Sequence, residues 1–186
     1  MSIEQPKFHV LEGEDNLQIR QYQPSIIAKT VVESSDMDKA SNEGFRRIAK
    51  FIFGDNTAKG KIAMTAPVTS SEERSEKIAM TAPVSMQVTG GKYVIAFTMP
   101  SSYTLVTLPS PNDDRVKIEQ LPGKKMAVIK YSGTWSPKRM QEKKDELLNW
   151  LREKKLKPIG EVIFARYDPP WTPWFMRTNE VQVEVE

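Results

Sequence analysis

The chain contains no cysteine and a single histidine, His9, and those two counts decide most of the chemistry open to it. Without thiolates there is no disulfide framework, no cysteine nucleophile, no zinc ribbon, no iron–sulfur cluster and no thiolate-ligated iron. One imidazole in a polar N-terminal lead-in supports neither a multi-histidine metal centre nor a Ser-His-Asp triad, so no metal ligand set is assigned. Met64 and Met80 carry thioethers, but each alternates along an apolar segment as core filler does. The segment Asp168 to Met176 holds three prolines, two tryptophans and a phenylalanine in nine residues, too aromatic to be left in solvent. Trp171 and Trp174 are therefore expected to plug one end of the fold. The functional version of the same expectation has them stacking on a planar ligand at a pocket mouth. Glu180 follows, with Arg177 close enough in sequence for a strand-edge ion pair.

The elements that must position these residues follow from periodicity. Leu17, Ile19, Ile26, Ala28, Thr30 and Val32 alternate with polar positions around a break at Gln23-Pro24, which predicts a hairpin over 17–32. Ser34-Ser35-Asp36 then offers an N-cap, Phe45, Ile48 and Ile52 recur at helical spacing, and Gly54 supplies the stop, so a helix is expected over 36–53. Lys-Ile-Ala-Met-Thr-Ala-Pro-Val occurs at 61–68 and again, identically, at 77–84. In each copy the Ile, Met, Ala and Val fall on one side at period two, while the proline removes a ladder donor; the pattern leaves strand and loop both open. A strand is expected over 93–99, and the Ser/Thr/Pro-rich stretch 100–111 separates two halves. Val116 to Ser132 repeats the opening pair, and a second helix starts at Ser136 and Pro137, with Trp135 placed to staple onto Met140. Strands near 161–167 and 180–185 complete the chain.

Residues 1–186 thus read as one domain built of related halves, about 8–110 and 111–186. Composition agrees: 39% of residues are hydrophobic and 27% charged, and 27 basic against 24 acidic side chains leave only +3. Over 138–157 eight basic residues are interleaved with four acidic ones, which is a solubilising face and not a stripe for phosphates. Gly90-Gly91 is a hairpin turn without a helix start to receive phosphate. No nucleic-acid partner is expected. No window approaches the ~20 apolar residues that span a bilayer, and a soluble, cytoplasmic monomer is expected.

The doubled octapeptide, together with Ile19-Arg20-Gln21-Tyr22, Phe97-Thr-Met-Pro-Ser, Pro111-Asn-Asp, Tyr167-Asp-Pro-Pro-Trp-Thr-Pro and Asn179-Glu-Val, resembles the SOUL haem-binding family over nearly the whole chain. The resemblance implies an α+β fold: a distorted antiparallel β-barrel made of two related strand-strand-helix-strand-strand halves, with two main helices flanking the sheet, akin to GyrI-like folds. It implies non-enzymatic binding of haem, or of another tetrapyrrole or planar apolar molecule, in a hydrophobic groove beside the first helix. Carried over position by position, the ligand would meet Asn42, Phe45, Ala49, Lys50, Met64 and Trp171. Gln21 stands where members with an axial histidine carry it, so no histidine ligates the iron, and His9 stays solvated. Asn42 stands where an arginine would meet a propionate, with Arg46 or Arg47 near enough to compensate. The GyrI-like kinship supplies an alternative, a small-molecule binder or hydrolase in which Glu180, buried among Tyr167, Trp171 and Trp174, receives a cation or activates water.

Overall fold

The computed structural model describes residues 3–59 and 75–186. Period-two apolar runs become β1 (Phe8–Glu14), β2 (Leu17–Tyr22) and β3 (Ser25–Glu33), followed by α1 (Met37–Ile52), the short β4 (Asn56–Thr57), β5 (Val84–Thr89), β6 (Lys92–Thr98) and the short β7 (Ser110–Pro111). β8 (Val116–Leu121), β9 (Lys125–Ser132), α2 (Pro137–Glu153) and β10 (Pro158–Arg166) come next, and a single 3-10 turn (Trp174–Met176) leads into β11 (Thr178–Val185). Nine strands form one antiparallel sheet in the order β1-β2-β9-β11-β10-β5-β6-β3-β8, and β4 pairs with β7 in a separate ribbon. The barrel is distorted to the point of staying open, because β1 and β8 end the order as edges.

The expected hairpin over 17–32 is not formed. β2 pairs with β1 and β9, whereas β3 pairs with β6 and β8. The strands were legible and their partners were not, since an alternating pattern sets a face and not a neighbour. Gln23-Pro24 is a crossing between the two halves of the sheet, and Pro122 to Lys124 crosses back. Tyr22 and Lys124 bind the crossings together by exchanging backbone hydrogen bonds of 2.8 and 3.2 Å.

Residues opposite one another in a ladder share a face. The row Leu17, Ile129, Val181, Phe164, Met86, Ile95, Thr30, Val116 therefore marks one face of the whole sheet, and both helices lie on it. α1 packs on β3, β6 and β8, and α2 on β9, β10 and β11, with β5 between their footprints. Ile48, Phe51 and Ile52 of α1 and Leu147 and Leu151 of α2 enter one continuous core. Gly44 lets α1 sit down on the sheet: a Cβ there would lie 2.3 Å from Cγ1 of Ile95.

Both helix starts form as their residues dictate. The Asp36 side chain accepts from the Lys39 N–H at 3.0 Å and Ser136 from the Arg139 N–H at 3.3 Å, with Pro137 at the first helical position. The second octapeptide copy settles as loop over 77–83, with only Val84 in β5. Ile78 donates its N–H to the Ile52 carbonyl and Ala82 to that of Glu4, both at 2.9 Å, so the segment is pinned to the end of α1 and to the N-terminal strap. Its period-two face breaks accordingly: Ile78 and Ala82 are buried, Met80 is exposed. The first copy, and with it Met64, lies outside the described residues.

Candidate functional site

α1 offers an apolar strip on a helix that is otherwise charged outside. Phe45, 41% exposed, rests against Phe97 with ring centroids 5.6 Å apart, and Phe53, at the C-cap, is 58% exposed. Ala49, buried, lies between them at i+4, so the three share one helix face. Asn42 and Lys50 are exposed beside this strip. Arg46 and Arg47 are both engaged by Glu43, and Arg47 also donates to the Val31 carbonyl at 3.1 Å. Phe53 was not among the expected residues, although its spacing from Phe45 and Ala49 already marked it. Among the described residues no part of α1 lines the best-formed cavities, and Phe45 and Phe53 stand on open surface.

Glu180 sits on the opposite face of the sheet and is 3% exposed. The expected strand-edge pair with Arg177 is not made. Arg20, reaching from β2, donates to Oε1 at 2.9 Å, and Tyr167 and Gln182 donate to Oε2 at 2.6 and 2.7 Å. Arg177 instead ties down the preceding loop by donating to the Thr172 and Pro170 carbonyls at 2.7 and 2.6 Å. The register of β11 explains the difference: Glu180 falls opposite Ala165 and Lys130, on the face where Arg20 also points, and Arg177 precedes the strand. Arg20 is further held by Tyr22 Oη at 3.0 Å and Gln18 at 2.9 Å, and its guanidinium lies 4.3 Å over the Phe8 ring. Burial, the largest single influence, would depress its pKa, and the charges and hydrogen bonds of Glu180 and Tyr22 together outweigh it, leaving it above the ordinary arginine value. Burial, reinforced by the charge of Glu180, pushes the phenols of Tyr22 and Tyr167 up, so both stay protonated. Both carboxylate oxygens of Glu180 are thus already occupied by this chain's own donors. A cavity of about 410 Å³ opens beside this cluster, with Tyr22, Tyr167 and Gln182 on one wall and Ile27, Ala96 and Ile163 on others.

The aromatic segment does not plug the fold. Trp171 is 83% exposed and Trp174 60%, with Phe175 and Met176 also outward. The three prolines and Arg177's bonds to the loop carbonyls hold a fixed turn, whose large side chains then have nowhere to fold back. The structure therefore brings Tyr167 to Glu180 and leaves Trp171 and Trp174 exposed, so they do not bury the carboxylate. His9 is exposed and stands directly across the β1–β2 ladder from Gln21. Among the described residues no cluster of His, Asp or Glu could hold a metal ion, and no helix is long and apolar enough to cross a membrane.

The family model described as SOUL heme-binding protein matches residues 3–75 and 69–184. Heme-binding protein 2 of Mus musculus is 31% identical over 196 residues, covering 98% of this chain and 90% of that protein. Heme-binding protein 2 of Homo sapiens is 32% identical over 166 residues, covering 88% of this chain and 75% of that protein. Among solved structures, the EcmrR C-terminal domain superposes with a TM-score of 0.66 at 9% identity, covering 91% of this chain and 96% of that one. A hydrolase from Listeria innocua gives 0.58 at 12% identity, covering 95% and 94%. At such identities the two structures speak for the fold alone.

Proposed function

The chain belongs to the SOUL heme-binding protein family, and on that premise we propose that it binds haem or a related tetrapyrrole non-covalently, without catalysing a reaction and without a histidine on the iron. The ligand lies on the α1 face formed by Asn42, Phe45, Ala49 and Lys50, with Trp171 closing over it from the loop before β11. The observation that carries this reading is the pair of exposed rings, Phe45 and Phe53, flanking buried Ala49 on one face of α1, apolar area that a flat ligand would cover. Lys50, exposed beside the strip, provides a cation for a propionate. The iron is left without a histidine because the position facing His9 is Gln21 and His9 itself is exposed on an edge strand.

On the same reading the protein works as a cytoplasmic monomer without a nucleic-acid partner. What supports the last point is α2, where Arg139 pairs with Glu142 and Lys143 with Glu146, so the basic residues face acidic neighbours one turn on. The test is a haemin titration followed by Soret absorbance and tryptophan quenching. A saturable one-to-one endpoint is expected, lost in a folded Phe45→Asp variant and spectrally unchanged in His9→Ala. Unchanged affinity in Phe45→Asp would remove the α1 site, and a six-coordinate bis-nitrogen spectrum abolished by His9→Ala would overturn the claim about the iron.

A further inference from the structure

The row of paired residues at one end of the helix-bearing face runs Phe97, Val84, Arg166, Asn179, Tyr131 across β6, β5, β10, β11 and β9. It starts beneath Phe45, whose ring packs at a tilt against Phe97, and ends beneath α2, where the Arg139 guanidinium lies 6.0 Å from the centre of the Tyr131 ring. Arg166 stands in the middle of this row, at the end of β10 on the α2 side, paired with Val84 of the β5 strand that separates the two footprints. It is half-buried, it lies 4.9 Å over the Trp135 ring, and among the described residues it has neither an ion-pair partner nor a hydrogen-bond acceptor. Nearby are two buried donors that are also unpartnered, Tyr131 Oη and Trp135 Nε1, and Tyr131 is only 6% exposed. Among the described residues every other arginine with a half-buried or buried side chain is engaged: Arg20 by Glu180, Arg47 by Glu43, Arg139 by Glu142 and Arg177 by loop carbonyls. An unpaired guanidinium beside two orphaned donors is costly to keep, and an anion brought by a ligand removes the cost of all three.

We propose that Arg166, with the Tyr131 hydroxyl and the Trp135 indole N–H, is the anchor for a carboxylate of the bound ligand. The proposal rests on the tetrapyrrole reading and deepens it, because the anchor lies on the same face of the sheet as Phe45 and two strands from Phe97. A flat ligand on the α1 strip thus presents its apolar face to Phe45 and one propionate to Arg166. This answers the loss of a basic residue at Asn42: the cation comes from a strand in place of the helix. The local electrostatics agree. Burial and the neighbouring charge of Arg177 hold the Arg166 pKa below the ordinary arginine value, against weaker support from Asp38 and Tyr131, so a further negative charge is favoured there.

Haemin and haemin dimethyl ester, which lacks free carboxylates, are titrated against wild type, Arg166→Gln and Arg166→Lys. Arg166→Gln is expected to weaken haemin about tenfold or more, the scale of one charge-assisted hydrogen bond, and to leave the weaker ester binding unchanged. Arg166→Lys, which keeps the charge, is expected to recover most of the affinity. Equal losses for acid and ester, or no loss for haemin, would overturn the anchor while leaving the tetrapyrrole reading in place. A second readout is independent of haemin: the indole N–H resonance of Trp135, assigned with Trp135→Phe, is followed on adding naphthalene-2-carboxylate. A saturable shift in wild type that is absent in Arg166→Gln supports the anchor even if haemin itself fails to bind, in which case the tetrapyrrole reading falls alone. No shift in wild type overturns the anchor.

Discussion

At the scale of single residues the most consequential contact is the buried pair of Arg20 and Glu180, at 6% and 4% side-chain exposure. Two charges taken out of water are tolerable only while each has its partners, and here the partners are complete: Gln18 and Tyr22 for the guanidinium, Tyr167 and Gln182 for the carboxylate. Removing one member leaves the other charged and buried. Arg20→Met is therefore expected to destabilise the fold by about 3–5 kcal/mol, read from urea unfolding, and adding Glu180→Leu to it is expected to restore at least half of that loss. If the double variant is no more stable than Arg20→Met, the cost lies in packing and not in the orphaned charge. The sequence marks Glu180 and Tyr167 as site candidates but not Arg20, and the reason is physical. The Arg20–Glu180 contact spans 160 positions, and in β2 the arginine looks like any outward residue of an alternating strand until β9 and β11 are laid beside it.

At the scale of elements, what could be read from the chain is what local chemistry decides. Asp36 and Ser136 cap their helices, Pro137 starts α2, and β6 and β10 fall within a few residues of their expected positions. What could not be read is which strand lies beside which. The crossing at Gln23-Pro24 and its counterpart before Lys125 have the composition of hairpin turns, and only the long-range exchange between Tyr22 and Lys124 distinguishes them. The aromatic segment misled for a related reason. Composition says that Trp171 and Trp174 gain by burial, but the backbone of their loop is fixed by prolines and by Arg177 in a shape that turns them outward. Gly44 gives the clearest test at this scale. In an exposed helix Gly→Ala stabilises by about 1 kcal/mol. Here the new methyl would sit 2.3 Å from Ile95, so Gly44→Ala is expected to reverse the sign and cost about 1–3 kcal/mol, by lifting α1 off β6. Thermal unfolding of Gly44→Ala alone and with Ile95→Val checks this: relief by the smaller partner is expected, and simple addition of the two losses would show that the helix does not bear on Ile95. Because Phe45 is the next residue, haemin affinity should fall with the same variant.

At the scale of the whole molecule the titratable groups are distributed unevenly, and the distribution predicts an asymmetric dependence of stability on pH. The carboxylates held below their usual range are surface groups. Hydrogen bonds from Arg115 bring Asp113 down to about 2, and Glu43 is lowered by Arg47 and Glu4 by Ser101. Each contributes stability above its unfolded value that is lost as pH falls toward its folded one, but the charges are exposed and screened. The phenols behave in the opposite sense. Burial raises Tyr131 to about 12 despite the opposing charges of Arg139 and Arg166, burial and Glu76 raise Tyr103 to about 12, and Tyr22 and Tyr167 are raised within the Arg20–Glu180 cluster. An unfolded tyrosine ionises near pH 10, so between 10 and 12 the unfolded chain has released protons that the folded chain still holds, and stability falls as pH rises. Three of the chain's five tyrosines, Tyr22, Tyr131 and Tyr167, act together in that window, and Tyr103, whose bond to Glu76 is exposed, adds a smaller, screened contribution. The urea midpoint is expected to be nearly flat from about pH 6 to 9.5, to decline gently and with sensitivity to salt below about pH 4, and to collapse between pH 10 and 12 with little sensitivity to salt. Phenolate absorbance should rise in one step coincident with unfolding, because the buried hydroxyls are released only when the sheet opens. Independent titration of the Tyr22, Tyr131 and Tyr167 phenols in a chain that remains folded at pH 11.5 would refute the assignment. If the anchor of Arg166 and Tyr131 holds a ligand carboxylate, bound haemin should in addition move the alkaline collapse upward, since a negative charge beside the Tyr131 hydroxyl opposes its ionisation further.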